Sequence, residues 1–505
     1  MAHRVLLVGN GQAVDAVAVP RLPPGEFQQI LADALTAGAR ASAYYGRPLP
    51  EAPGQVLITA VLAHDAAGRL GLLSTVAGRS LPSLAEECPS LHLFERELAG
   101  QLGVEPLGHP WPKPVRFEPR LDAPAAPHAP GRPPPGDVPF FTMAGEELHE
   151  VAVGPVHAGI IEPGHFRFQC HGEHVFHLEI SLGYQHRGLE RLLQDGPGRR
   201  TSSLAETVAG DTAVGHALAS ARALEGLGAI EAPPRGALLR AVALELERLA
   251  NHVGDLGALA GDVGFLPTAS FCGALRADYL NALAELCGNR FGRGLVVPGG
   301  VRFDLPDEAA HRLAERLDGT REKVEEAAAL FFGSASVQNR LEQVGVVTRE
   351  DAARLGLVGP AARASGVAVD VRRSHPFAPY PAREPPPPRS TAGDVAARAA
   401  IRLEEARGSA AQVGAWLRAL PPGPVRVAPP PLRPDRLVVS LVEGWRGEIC
   451  HAVTTDGAGR FARYKVVDAS FHDWMGLQLA VRGEQISDFP LCNKSFNLSY
   501  AGHDL

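Results

Sequence analysis

The 505-residue sequence predicts an α+β protein: a small N-terminal α/β domain over residues 1–118, a linker over 119–140, and a mainly helical domain with small β elements over 141–505. Three observations carry this reading. Short apolar runs of strand length crowd the first hundred residues. The stretch RLDAPAAPHAPGRPPPGDVP that follows is dominated by Pro, Ala and Gly, which form neither ladder nor helix, so a boundary belongs there. Beyond it, apolar residues recur three and four apart over long stretches, the spacing of a buried helix face.

In order along the chain, Arg4–Val8 (RVLLV) predicts a strand, Glu26–Leu35 a helix, and Gln55–His64 with Arg69–Gly78 a strand pair. Gly9-Asn10-Gly11 after the first strand lacks the third glycine and later acidic residue of a dinucleotide loop, so it predicts a plain turn. In the second domain Leu239, Val242, Leu246, Leu249, Val253 and Leu256 put one continuous apolar face on a helix over Arg235–Leu259, which Pro233-Pro234 starts; Glu245, Arg248 and His252 share its adjoining stripe. Further helices are predicted over Thr201–Leu224, Arg276–Cys287 and His311–Phe331, forming a bundle, with strands over His174–Leu182 and Ala462–Val466. A second proline-rich stretch, Pro381–Thr391, predicts a surface excursion.

Composition narrows the function. A net charge of −7 without a sustained basic run gives no support to nucleic-acid binding. No run approaches the ~18 apolar residues of a membrane span, and no signal pattern opens the chain, so a cytoplasmic location is expected. The six cysteines, Cys88, Cys170, Cys272, Cys287, Cys450 and Cys492, form no CxxC, so the expectation is buried free thiols and no metal bound by the chain's own ligands.

Five segments point further. GPVHAGIIEPGHFRF (Gly154–Phe168), LGYQHRGLERLL (Leu182–Leu193), AGDTAVGH (Ala209–His216), LGLVGPAARASGVAVDVRR (Leu355–Arg373) and SFNLSYAGHDL (Ser495–Leu505) resemble, in order and spacing, the large subunits of membrane-bound, energy-converting nickel–iron hydrogenases. They also resemble the homologous 49 kDa quinone-site subunit of complex I. Pro89–Pro119 resembles the signature of the 30 kDa subunit of complex I, and both modules in one chain resemble the fused large subunit of formate hydrogenlyase.

The resemblance implies an N-terminal 30 kDa-like domain, a cavity beside a partner subunit that carries a [4Fe-4S] cluster, and a quinone-like acceptor. It implies membrane partners of the proton-channel or antiporter type, holding the chain at the cytoplasmic face. The four positions of the family's metal-binding CxxC pairs read Ala209, Thr212, Ser499 and Gly502 here, so no nickel–iron centre is expected, since that cage depends on soft thiolates.

By the same resemblance His165 is the candidate proton-relaying and acceptor-binding group, the alternative being a loop histidine bonded to backbone. His216 matches a histidine that hydrogen-bonds near the metal of hydrogenases, or is a satisfied core histidine. Arg187 matches an arginine near the partner's cluster, where its charge would favour the reduced state; otherwise it forms a surface salt bridge. Arg363 and Asp370, with Ser365 and Arg372, either form a charged axis toward the membrane arm or hold a loop against the bundle. Glu448 lies in a shared tripeptide whose role the match leaves open. The tyrosine that bonds quinone in complex I aligns at about Gly210, and a cluster-side histidine at about Gly292, so a complex I-type quinone site is in doubt. Three readings follow: a working redox subunit, a non-catalytic scaffold that keeps the fold and, ranked last because all four thiolates are missing, an active nickel–iron hydrogenase.

Overall fold

The computed structural model describes residues 4–121, 137–157, 161–380 and 390–505. Most of the proline-rich linker (122–136) and of the second proline-rich stretch (381–389) lies outside the described residues.

The N-terminal sheet is a meander. Strands Arg40–Pro48, Val56–His64 and Arg69–Ala77 pair antiparallel in sequence, Leu6–Val8 adds to the last of them, and Arg21–Leu22 pairs with it in parallel. Its apolar side chains, with Phe27 and Leu31 of the helix Pro24–Thr36 and Phe94 and Leu98 of the helix His92–Leu102, form a core that also takes in Leu437, Val439, Leu441 and Phe471 from the far end of the chain. The two-residue strand Val14–Asp15 pairs with the edge of the C-terminal sheet, Leu437 opposite Val14. The N-terminal unit is therefore packed into the C-terminal sheet, and its core is shared.

The larger core is helical. The long helix Pro234–Asp262 packs along Leu266–Cys287 and Val395–Arg418, with Asp307–Phe332 completing the bundle. The predicted apolar face is buried throughout, from Leu239 to Leu256. Pro234 starts the long helix at its first position, where the missing N–H has no acceptor to lose. The helix expected over Thr201–Leu224 is broken into Thr201–Ala205 and Ala213–Gly228. The break has a tertiary cause: the carboxylate of Glu247, from the long helix, accepts the N–H of Val214 at 2.7 Å and of Gly215 at 3.1 Å, starting a new helix there.

A C-terminal three-stranded meander, Arg436–Gly444, Gly447–Thr455 and Phe461–Val467, backs the bundle, followed by the helix Ala469–Val481. A separate sheet, Leu148–Val153, His165–His171 and His174–Ser181, holds the segment around His165. The two units are joined by a buried ion network. Lys465 reaches Glu97 at 2.6 Å and Glu190 at 3.1 Å, Arg463 reaches Glu190 at 2.8 Å, and Arg116 pairs with Glu97.

Beside this network burial pushes Glu118 up to about 7, against the opposing charge of Arg116. A carboxyl with its folded pKa raised contributes stability that is whole below its unfolded value near 4.5 and is lost as pH rises through about 7. Glu118→Gln is therefore expected to flatten the stability profile between pH 5 and 8, removing a change on the order of 3 kcal/mol. Thermal melts across that range check it, and parallel profiles for the two proteins would remove the assignment.

Candidate functional site

The site is built where the turn before Ala213–Gly228 meets the short C-terminal helix Tyr500–Asp504. Ala209 and Thr212 lie on the first segment, Ser499 and Gly502 on the second, and all four are buried. The two segments meet: Arg187 donates to the carbonyls of Val208 and Ala501, and Arg446 reaches both Thr212 and the Asn497 carbonyl.

What joins them is a side-chain clasp. The tight turn Glu443–Glu448 between two C-terminal strands projects Trp445 and Arg446 into the site. Arg446 holds Asp211 with both Nη atoms, at 2.6 and 2.7 Å, and donates to Thr212 Oγ1 at 3.1 Å and to the carbonyl of Asn497. Trp445 Nε1 donates to the Asp211 carbonyl and to Thr212 Oγ1, both at 3.1 Å. Burial works against the charge on Asp211, but the Arg446 guanidinium outweighs it and holds the carboxyl below its usual range. Ser499 Oγ accepts the N–H of Gly502 at 2.9 Å, capping the last helix.

Gly502 shows why a thiolate does not fit here. A Cβ at that position would lie 2.6 Å from Cγ of Asp468 and 2.7 Å from its Oδ1. The Asp468 carboxylate is itself fixed: it accepts His216 Nε2–H at 2.9 Å and the Ser470 N–H at 2.8 Å. Burial opposes its ionisation; the His216 bond and Arg446 prevail and hold it below the ordinary carboxylate range. Two of the four positions, Ala209 and Gly502, offer no donor atom, and Thr212 Oγ1 is occupied by two N–H groups. These residues do not fit a nickel–iron centre.

Behind Asp468 the polar chain continues. His216 Nδ1 meets His451 Nε2 at 3.1 Å, and the Tyr464 hydroxyl lies 2.9 Å from both His451 Nδ1 and Ser220 Oγ. His216 and His451 are fully buried, and burial pulls His451 well below the ordinary imidazole value, with His216 adding to the effect.

Arg187 stands on the other side. It donates to the carbonyls of Thr207, Val208 (3.0 Å) and Ala501 (3.1 Å), bracing the same two segments from outside, and makes no surface salt bridge among the described residues. His165 is nearby but not in the clasp. It opens a strand, its Nδ1 lies 3.1 Å from the Gly154 carbonyl, Arg167 Nε donates to its Nε2 at 3.2 Å, and Phe140 packs against the ring at 5.0 Å. Its neighbour Gly164 touches Tyr500 so closely that a Cβ would meet the ring at 2.5 Å. Glu162, on the same loop, accepts the Tyr500 N–H at 3.1 Å, and burial raises its pKa despite that bond.

Arg363 and Asp370 lie in a second cluster. Arg363 pairs with Glu405 and Glu443 at 2.6 and 2.9 Å, and Asp370 pairs with Arg372, which reaches Glu245 at 3.3 Å. Glu245 also binds Arg248 at 3.0 Å, Tyr380 at 2.7 Å and Ser409, and these charges draw its carboxyl down to about 2 in spite of complete burial. Asp370 caps the helix Val371–Ser374, and the Val371 N–H donates to Glu443 at 2.9 Å. Ser365 is buried, and its hydroxyl has no hydrogen-bond partner among the described residues.

The two clusters share the Glu443–Glu448 turn. Glu443 faces Arg363, Arg446 faces Asp211, and Glu448 pairs with Arg40 of the N-terminal unit at 2.7 Å. Sequence reasoning marked the tripeptide Arg446-Gly447-Glu448 for Glu448 and gave Arg446, Asp211, Glu443 and Asp468 no role. The one local signal was the Gly-Trp-Arg-Gly run, in which glycines flank two large side chains that a tight turn has to place.

Bundle, hairpin sheet and two converging motif segments together define the large-subunit scaffold of hydrogenases and complex I. Residues 262–435 match the family model described as respiratory-chain NADH dehydrogenase, 49 Kd subunit. The carbon monoxide-induced hydrogenase of Rhodospirillum rubrum is 31% identical over 350 residues, covering 69% of this chain and 97% of that protein. Formate hydrogenlyase subunit 5 of Escherichia coli is 29% identical and covers 84% of this chain and 76% of its own, a larger share of this chain than residues 119–505 make up. Among solved structures, the membrane-bound sulfane sulfur reductase, an archaeal respiratory membrane complex, has a chain that superposes with a TM-score of 0.66 at 24% identity, covering 71% of this chain and 99% of that one. The chain belongs to the family of membrane-bound hydrogenase large subunits and their complex I counterparts.

Proposed function

We propose that this chain is the large subunit of a membrane-associated oxidoreductase complex of the complex I or hydrogenase-4 type, working without a nickel–iron centre of its own. In this reading it packs against an iron–sulfur subunit carrying a [4Fe-4S] cluster, shapes the cavity for a quinone-like acceptor and moves protons there, while antiporter-like membrane subunits complete the complex. The observation that carries it is the clasp: Asp211, Arg446, Asp468 and His216 join the two segments that metal would otherwise cross-link, and polar groups remain beside them in Glu162 and His165. The relatives support membership of such a complex, being hydrogenase and hydrogenlyase subunits. No helix among the described residues is long and apolar enough to cross a membrane, in keeping with attachment through partners.

The chemistry open to the chain is proton handling. Glu162, its carboxyl raised by burial, accepts the Tyr500 N–H within reach of the charges of Arg446 and Asp211, and His165 follows three residues later at the start of its strand. Electrons would come from the partner's cluster, and the isolated chain is expected to be inactive. The scaffold reading draws on a specific observation as well: both ring nitrogens of His165 have partners within the chain, and Arg187 spends its donors on three carbonyls.

The complex tests both. Purified from host membranes in mild detergent, the tagged chain is expected to bring an iron–sulfur subunit and membrane subunits, with no stoichiometric nickel by elemental analysis. Within that complex His165→Ala is expected to lower acceptor reduction by 10²-fold or more, the scale of a lost acid–base group, while leaving assembly intact. Unchanged turnover in the variant would favour the scaffold, and recovery of the chain alone would overturn the complex.

A further inference from the structure

A cleft of about 610 Å³ opens where three distant parts of the chain meet: the Asn10–Ala13 turn, the end of the helix Ala213–Gly228 with the loop after it, and the segment 376–378. That volume is in the range of small-ligand sites. The cleft is held open by fixed backbone. Asn10 Nδ2 donates to the carbonyls of His375 at 2.8 Å and Leu441 at 3.0 Å, and its Oδ1 accepts the Leu441 N–H at 2.8 Å. The turn seats directly on the helix because both contacting residues are glycines: a Cβ on Gly226 would lie 2.3 Å from the Gly11 carbonyl oxygen.

The charges lining the cleft are unbalanced at one point. Arg240 spends its guanidinium on Glu225 and two carbonyls, and Arg433 on the carbonyls of Leu227 and Gly226. Arg222 has neither kind of partner in full. It makes no ion pair among the described residues, its one hydrogen bond, to the Asn10 carbonyl, is long at 3.5 Å, and its Nε is sealed from water without an acceptor. Its guanidinium lies over the Phe377 ring at 4.1 Å, and burial draws its pKa down to about 10, against the pull of Glu225. A guanidinium held flat by an aromatic ring, short of acceptors and facing a preformed cleft, is a bidentate anchor for a planar or tetrahedral oxyanion. The rest of the wall is mixed, with Leu218 and Ile230 beside Gln12, Glu225 and Glu231, and the two carboxylates make it unsuited to a polyanion.

We propose that this cleft binds a small molecule carrying one oxyanion group, carboxylate or phosphate, with Arg222 as the anchor and Phe377 fixing its orientation. The inference is independent of the acceptor chemistry, since the cleft shares no residue with the Asp211–Arg446 clasp.

Calorimetric titration of the full chain with hexyl phosphate, hexanoate and hexanol tests it, the two anions separating a phosphate site from a carboxylate site. One or both anions are expected to bind with a stoichiometry of one, and hexanol is not. Arg222→Gln is expected to weaken that binding roughly tenfold or more, the size of a lost charge-assisted bond, and to melt within a few degrees of the wild type because no buried partner is left uncompensated. A wild-type measurement guards against a variant that fails to fold: amide exchange should slow on ligand binding at residues 10–13, 222–233 and 376–378. Absence of anion binding, equal binding by hexanol, equal affinity in Arg222→Gln, or protection confined to other segments would each overturn the proposal.

Discussion

Replacing Glu245 by alanine is expected to destabilise the protein by about 3 kcal/mol, the low end of the cost of breaking a buried ion pair. Glu245 is fully buried in the long helix and is the acceptor for Arg248, Arg372, Tyr380 and Ser409 at once. Its removal takes from each guanidinium one of its carboxylates, leaving Asp370 to Arg372 at 2.8 Å and Glu405 to Arg248 at only 3.5 Å, and it deprives the buried Tyr380 hydroxyl of its acceptor. A surface pair supplies the contrast. Glu285 meets Arg316 with both side chains substantially exposed, and Glu285→Ala is expected to change stability by no more than ~0.5 kcal/mol. Thermal melts of the two variants side by side are the measurement. A Glu245→Ala protein that melts with the surface variant would show that the buried cluster adds nothing to the fold.

Restoring the four cysteines is expected not to restore the metal site. In a chain carrying Ala209→Cys, Thr212→Cys, Ser499→Cys and Gly502→Cys, the fourth sulfur has to grow from a Cβ that would lie 2.6 Å from the Asp468 carboxyl carbon. Asp468 cannot swing aside without giving up His216 and the cap of the helix Ala469–Val481. Gly502→Cys alone is expected to cost about 1–3 kcal/mol through overpacking. Added Ni²⁺ should then give no thiolate-to-metal charge-transfer absorption in the four-cysteine chain. The band is expected only when Asp468→Ala is also introduced. Strong absorption in the four-cysteine chain with Asp468 intact would show that the clasp yields, and that cysteine loss alone abolished the metal.

These two cases mark what the sequence could and could not convey. That Ala209, Thr212, Ser499 and Gly502 carry no sulfur was legible directly, whereas the Asp468 carboxylate packed against Gly502 was not. The long helix was legible because its periodicity is local. The strand Arg40–Pro48, the hairpin Arg436–Thr455 and the helices Val395–Arg418 and Ala469–Val481 were not marked; in the hairpin nearly every residue is buried, and a strand without alternation gives a weak pattern. The break at 206–212 was invisible for a different reason, since the carboxylate that starts the new helix belongs to Glu247, some thirty residues onward. The role of Arg446 was missed on the same ground: its partner Asp211 is 235 positions away, and a pairing at that separation leaves no trace in a window of sequence. His165 and Arg187 were found through resemblance, and their hydrogen-bond partners, mainly backbone carbonyls, are of a kind no side-chain pattern reveals.

The placement of the last helix has a consequence for how the chain reaches this state. Tyr500–Asp504 lies in the interior, its Asp504 carboxylate accepting the N–H groups of Gly183 and Gln185 at 2.8 Å, 321 and 319 positions earlier, while Arg116, 387 positions before it, holds the His503 carbonyl. Such separations make contact order high and closure entropically expensive. During synthesis the sheet carrying His165, the bundle and the N-terminal meander all emerge before the segment that plugs the space between them. Until it docks, the partially made protein presents an open apolar seam. Chaperone binding, or early capture by a partner subunit, would shield that seam until the segment docks.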